Sequence, residues 1–110
     1  MADSPFDYSG PPELQPVIER ALRRVVDPEI ALNIIDVGLV YAVNVAGDRV
    51  DVAMTMTSAA CPVADVIQSD VETELDADLP ADLRIHVEIV WEPAWSAERL
   101  SDRARAFMGS

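Results

Sequence analysis

The sequence predicts an α/β fold: a small three-stranded mixed sheet with helices packed on its apolar face, in the order helix, strand, strand, helix, strand, helix. Three observations predict it. Two runs of alternating apolar residues flank Gly47-Asp48, the pattern of a tight antiparallel hairpin. Val63, Ile67, Val71 and Leu75 then recur every fourth residue, with Asp65, Asp70, Glu72 and Glu74 on the other faces. A third alternating run follows that helix, and a strand–helix–strand step favours parallel pairing through a right-handed crossover.

Taken in order, residues 1–11 hold Pro5, Gly10, Pro11 and small polar residues, and read as a flexible N-terminal arm before a single domain spanning 12–110. Leu14, Val17, Ile18, Ala21, Leu22 and Val25 have helical spacing, which places a first helix at about residues 13–25. Pro16 suits its first turn, and Arg20, Arg23 and Arg24 suit its C-terminal end. Pro28 biases Asp27 away from helical geometry, so the helix stops there. Val37, Leu39, Tyr41, Val43 and Val45 form one face of the first strand; Val50, Val52, Met54 and Met56 form one face of the second. Pro62 opens the second helix, and "DADLPADL" ends it. The third strand points Leu83, Ile85, Val87, Ile89 and Trp91 inward and Arg84, His86 and Glu88 outward. Ser96 is placed to cap a last helix carrying Leu100, Ala104 and Met108.

Composition narrows the function. Twenty acidic residues against eight basic ones give a formal charge of −12, a field that repels nucleic acid and anionic lipid and favours basic protein surfaces. No apolar run is long enough to span a membrane, and the acidic N-terminus lacks a signal-peptide pattern. One cysteine forms no internal disulfide, which points to the reducing cytoplasm, and one cysteine with one histidine excludes a cysteine-rich zinc site.

Cys61 is the residue that raises the question of chemistry. It stands just before a helix N-terminus, where unpaired N–H groups and the helix dipole lower a thiol pKa, although Asp65 opposes this. A buried, inert thiol is the alternative, because free cysteine is among the most buried residue types. Asp27 and Glu29 read either as an acidic pair or as a solvated turn, and Asn33 and Asp36 invite the same two readings. His86 reads as a surface histidine. Trp91 and Trp95 flank Pro93 and read as a packed corner or as partner-docking anchors. The sequence has neither a glycine-rich phosphate loop nor a metalloprotease helix, and no complete catalytic constellation assembles.

Three stretches, "DPEIALNIIDVGLVY", "MTMTSAACPVADVI" and "VEIVWEPAWSAERLS", together resemble the SufT-type iron–sulfur assembly family, across roughly residues 13–109. Its relatives include the phenylacetate-pathway protein PaaD and a eukaryotic cytosolic iron–sulfur assembly factor. The resemblance implies a fold of the NifU C-terminal type and a carrier or adaptor role in maturing iron–sulfur proteins, with no enzymatic activity. It places the functional cysteine, and any metal contact, at Cys61, the acidic turn at Asp27 and Glu29, and the neighbouring threonine at Thr57. Ala60 stands where many members have glycine, and the absence of a cysteine-rich C-terminal segment suits the stand-alone SufT type over the PaaD type. Since a cluster normally takes four thiolates, one chain implies no tightly bound cofactor but a transient iron–sulfur cluster, completed by a second subunit in a homodimer, a partner or a small thiol. The implied partners are the assembly machinery and client apoproteins. Two other classes stay open: a thiol-based redox protein using Cys61, and an acidic interaction adaptor without cluster chemistry.

Overall fold

The structure, a computed structural model, describes residues 6–28, 30–57 and 64–107. Its centre is a four-stranded mixed sheet in the order β1 (Asp7–Ser9), β4 (Val40–Ala46), β5 (Arg49–Met54), β6 (Arg84–Ile89). Helices α1 (Gln15–Leu22) and α3 (Ala64–Asp78) pack on one face. A two-stranded ladder, β2 (Val26–Asp27) with β3 (Leu32–Asn33), leads into the short helix α2 (Ile34–Val37), and α4 (Asp102–Phe107) closes the described chain. No helix among the described residues is long and apolar enough to cross a membrane.

The hairpin and the crossover stand where the alternation put them. β4 and β5 are antiparallel, with Gly47 at φ 62° in the turn. That left-handed conformation costs glycine little and a side chain more. β5 and β6 are parallel, pairing Val50 with Ile85, Val52 with Val87 and Met54 with Ile89. Val50, Val52, Met54, Met56 and Val87 are buried with Ile67, Val71 and Leu75 of α3, and Ile85 and Ile89 are half-buried against them. Arg84, His86 and Glu88 are exposed, so the register is the one that the alternation requires. Val63 lies outside the described residues.

Five expectations change. The sheet has four strands rather than three, because Asp7–Ser9, expected in the flexible arm, form a strand. Phe6 is buried in the core and β1 pairs in parallel with β4, so one apolar anchor and one free sheet edge hold the segment. The first helix is shorter than 13–25: Pro12–Leu14 form a 3-10 turn, and α1 ends at Leu22 with Val25 buried beyond it. Val37 belongs to α2 rather than the strand. Gly38, at φ 83°, ends that helix, and an irregular register between Val40 and Ala42 breaks the single face that ran from Val37 to Val45. Trp91 lies beyond β6 and is 48% exposed, not inward. Ser101, not Ser96, caps the last helix, its Oγ accepting from Ala104 N at 3.0 Å. Ser96 instead starts a 3-10 turn at Ala97–Arg99, its carbonyl accepting from Arg99 N. Met108 lies outside the described residues.

Candidate functional site

Parallel pairing carries β5 and β6 to the same end of the sheet. Beyond the ladder, Val90 N donates to Met54 O at 2.7 Å and Thr55 N donates to Leu39 O at 2.8 Å. The two strands therefore stay joined as they leave the sheet. β5 continues through buried Met56 to half-buried Thr57, after which residues 58–63 join it to α3. Cys61 belongs to that connection and Glu29 to the β2–β3 turn; both lie outside the described residues. β6 continues into the tryptophan corner. The end of the sheet that leads to Cys61 is therefore also the end that carries Trp91.

Asp27 is 1% exposed, which overturns the solvated-turn reading. Its carbonyl accepts from Ile30 N at 3.2 Å and Ala31 N at 2.7 Å, and Ala31 has φ 66°. Ile30 and Ala31 are thus held against Asp27, and from there β3 and α2 lead to the start of β4, beside the end of β5.

Asn33 and Asp36 are equally structural. Asn33 Oδ1 caps α2 by accepting from Asp36 N at 2.9 Å, and Asn33 Nδ2 donates to Asp36 Oδ2 at 2.8 Å. Arg23, at the C-cap of α1, donates to Asp36 Oδ1 at 3.2 Å. Burial alone raises the Asp36 carboxyl, but hydrogen bonds from Asn33, Ser101 and Arg23, with the Arg23 charge, outweigh it and hold the group below its ordinary value.

The tryptophan corner is clamped to α2 and the start of β4. Trp95 Nε1 donates to Val37 O at 2.8 Å, and Tyr41 Oη donates to Pro93 O at 2.7 Å. The Arg99 guanidinium lies over the Tyr41 ring, 4.2 Å from its centroid, and Ser101 N donates to Asp36 O at 2.8 Å. Trp95 is therefore committed to the corner, half-buried against the core. Of the two tryptophans, Trp91 is the one turned to solvent.

Thr55 is the residue that sequence reasoning missed. It is 1% exposed, and its Oγ1 has no hydrogen-bond partner among the described residues. Buried hydroxyls are nearly always paired, so an orphan six residues before Cys61 marks this strand end as unusual. Alternation puts Thr55 on the face opposite Met54 and Met56, and no local signal says that this end is covered. Among the described residues no three of His, Cys, Asp and Glu gather as a metal site.

The model of the family described as iron–sulfur cluster assembly protein matches residues 16–89. The chain belongs to that family. It is 38% identical over 93 residues to an Fe-S protein maturation auxiliary factor of Porphyromonas gingivalis, covering 84% of this chain and 88% of that one. It is 40% identical over 90 residues to the Fe-S protein maturation auxiliary factor YitW of Bacillus subtilis, covering 81% and 87%. A crystal structure of a domain of unknown function from Bacillus anthracis superposes with a TM-score of 0.79 at 38% identity, covering 84% of this chain and 88% of that one. The mixed α/β fold of this family member is thus shared with a solved relative. Of the three sequence stretches that suggested the family, the first two lie within residues 16–89 and the third begins there.

Proposed function

We propose that the protein serves iron–sulfur protein maturation as a carrier or adaptor, meeting the assembly machinery and client apoproteins at the end of the sheet where β5 and β6 stop. The observation that carries this reading is their parallel pairing, which directs the Cys61 connection and the Trp91 corner to one end. The names of the relatives, maturation auxiliary factors, support the same role.

The chemistry asks for little more than one soft ligand. Cys61 supplies one thiolate, and a second subunit, a partner or a small thiol supplies the rest. The cluster is cargo held in transit. Thr57, Asp27 and Glu29 shape the border of the site, and exposed Trp91 offers an aromatic anchor to a partner. The work is binding and transfer, with the reducing cytoplasm as the fitting compartment for a lone thiol.

Anaerobic reconstitution with iron and sulfide, followed by absorption spectroscopy and native mass measurement, tests the proposal on wild type and Cys61→Ser. Wild type is expected to gain iron and sulfide in a form that Cys61→Ser does not. In a deletion strain, Cys61→Ser at matched protein level is expected to restore little activity to an iron–sulfur hydratase. Full rescue by Cys61→Ser excludes a thiolate mechanism and leaves the adaptor role alone.

A further inference from the structure

The far edge of the sheet carries a second feature. β6 is the terminal strand, and its pairing with β5 fixes which of its backbone groups are used. Arg84 N donates to Asp48 O and Val90 N to Met54 O, so residues of even number face β5. In a parallel ladder the alternate residues, Ile85, Val87 and Ile89, then turn their N–H and C=O groups away from the sheet. Val87 O confirms the direction, since it accepts from Gln68 Nε2 of α3 at 2.9 Å.

Beside this edge lies a groove of about 460 Å³ between α3 and the start of β6, lined by Glu72, Thr73, Asp76, Leu83, Arg84 and Ile85. One wall is a strand edge with outward backbone groups. The other is a helix face with two carboxylates that form no ion pair among the described residues. Half-buried Leu83 and Ile85 give it an apolar floor. Arg84 offsets one of the two charges, but the chain as a whole carries −12.

We propose that this groove docks an extended, cationic segment of a partner protein, which adds to β6 as a further strand. Main-chain groups of the segment pair with Ile85, Val87 and Ile89, and the alternate side chains on the α3 side, apolar and basic together, meet Leu83, Ile85, Glu72 and Asp76. Charge excludes nucleic acid as the occupant. Gln68 guards the edge, as a side chain that satisfies the Val87 carbonyl until a strand replaces it. The groove lies away from the end that leads to Cys61: from Ile85 to Val90 is about 16 Å of strand, at ~3.3 Å per residue. The docked segment runs along β6 as far as Ile89 and uses neither Cys61 nor Trp91, so the proposal stands apart from the cluster reading.

The probe is a blocked Thr-Arg-Thr-Val-Thr-Arg peptide, whose Arg and Val share one strand face, titrated into the full chain and read by amide NMR and hydrogen exchange. Expected are slowed exchange at Ile85, Val87 and Ile89 by at least tenfold and at least tenfold weaker binding of Pro-Arg-Pro-Val-Pro-Arg, which has the same charge but fewer N–H donors. Gln68→Ala is expected to bind several-fold tighter, and Glu72→Gln with Asp76→Asn at least fivefold weaker. Cys61→Ser is expected to bind like wild type, which separates this result from failure of the cluster reading. No binding at millimolar peptide, equal binding of the proline peptide, or binding without protection at those amides overturns the proposal. Concentration-dependent protection of β6 without peptide also overturns it, by making a second copy of the chain the occupant.

Discussion

A buried hydroxyl without a partner costs about 1–3 kcal/mol, and Thr55 Oγ1 is in that position among the described residues. Thr55→Val keeps the shape and removes the orphan, so it is expected to raise stability by about 1 kcal/mol in urea unfolding. A loss of stability shows that the hydroxyl is bonded in solution. Asp36 gives the opposite sign. Its carboxyl is held below the ordinary 3.8 by hydrogen bonds from Asn33, Ser101 and Arg23, which overcome the burial that raises it. A depressed folded pKa contributes stability that is fully present above the unfolded value and fades as pH falls through the folded one. Asp36→Asn is therefore expected to lose about 1–3 kcal/mol at pH 7. The gap to wild type should narrow only below pH 3.8. A gap that is constant from pH 7 down to acid unfolding excludes the charge as its cause. Neither residue was legible in sequence as buried. Asp36 and Asp27 look like solvated turn residues because single-residue polarity says nothing about which loops fold back upon the core.

At the scale of elements, what local periodicity controls was legible and what tertiary contact controls was not. The hairpin, the long helix and the parallel crossover follow from the period-2 and period-4 patterns. The family was legible as well, from stretches whose order and spacing survive without structure. The strand β1 was not: it owes its existence to pairing with β4 and to buried Phe6, and Asp7–Ser9 have no alternation of their own. The C-terminal segment was misread for a similar reason. Its 3-10 turn and short helix are held by contacts to α2 and the start of β4, and Gly38 is where they meet. A Cβ on Gly38 runs into the Arg99 carbonyl and lies 2.7 Å from Arg99 Cβ, and the backbone there has φ 83°. Gly38→Ala is expected to cost roughly 2–4 kcal/mol, from left-handed strain plus overpacking. Near-ultraviolet circular dichroism should show the corner's tryptophan signal weakened. An unchanged signal and a cost under about 0.5 kcal/mol, the range of ordinary surface substitutions, show that the segment is not clamped there.

The whole molecule carries twenty acidic side chains against eight basic ones, and every basic one is an arginine. Its Cα radius of gyration is 13.4 Å. At 10 mM salt the screening length is about 30 Å, so charges across the whole fold repel one another; at 150 mM it is about 8 Å and mostly neighbours interact. Screening also weakens the attractive pairs, so the sign of the salt effect depends on which set is larger. The described attractive pairs are Arg23 with Glu19 and Asp36, Arg24 with Glu74 and Asp78, and Arg49 with Asp51. Exposed pairs of this kind contribute about 0–1 kcal/mol each, and the Asp36 network is buried enough to be screened least. A net charge of −12 leaves the long-range repulsion larger. Sodium chloride from 10 to 150 mM is therefore expected to raise Tm, by roughly 4 °C for each 1 kcal/mol of repulsion relieved. The same salt should weaken the cationic peptide at the β6 groove, since screening there removes attraction. Opposite responses in one titration series separate the two effects. A Tm that falls with salt means that local ion pairs, rather than net charge, govern the stability of this fold.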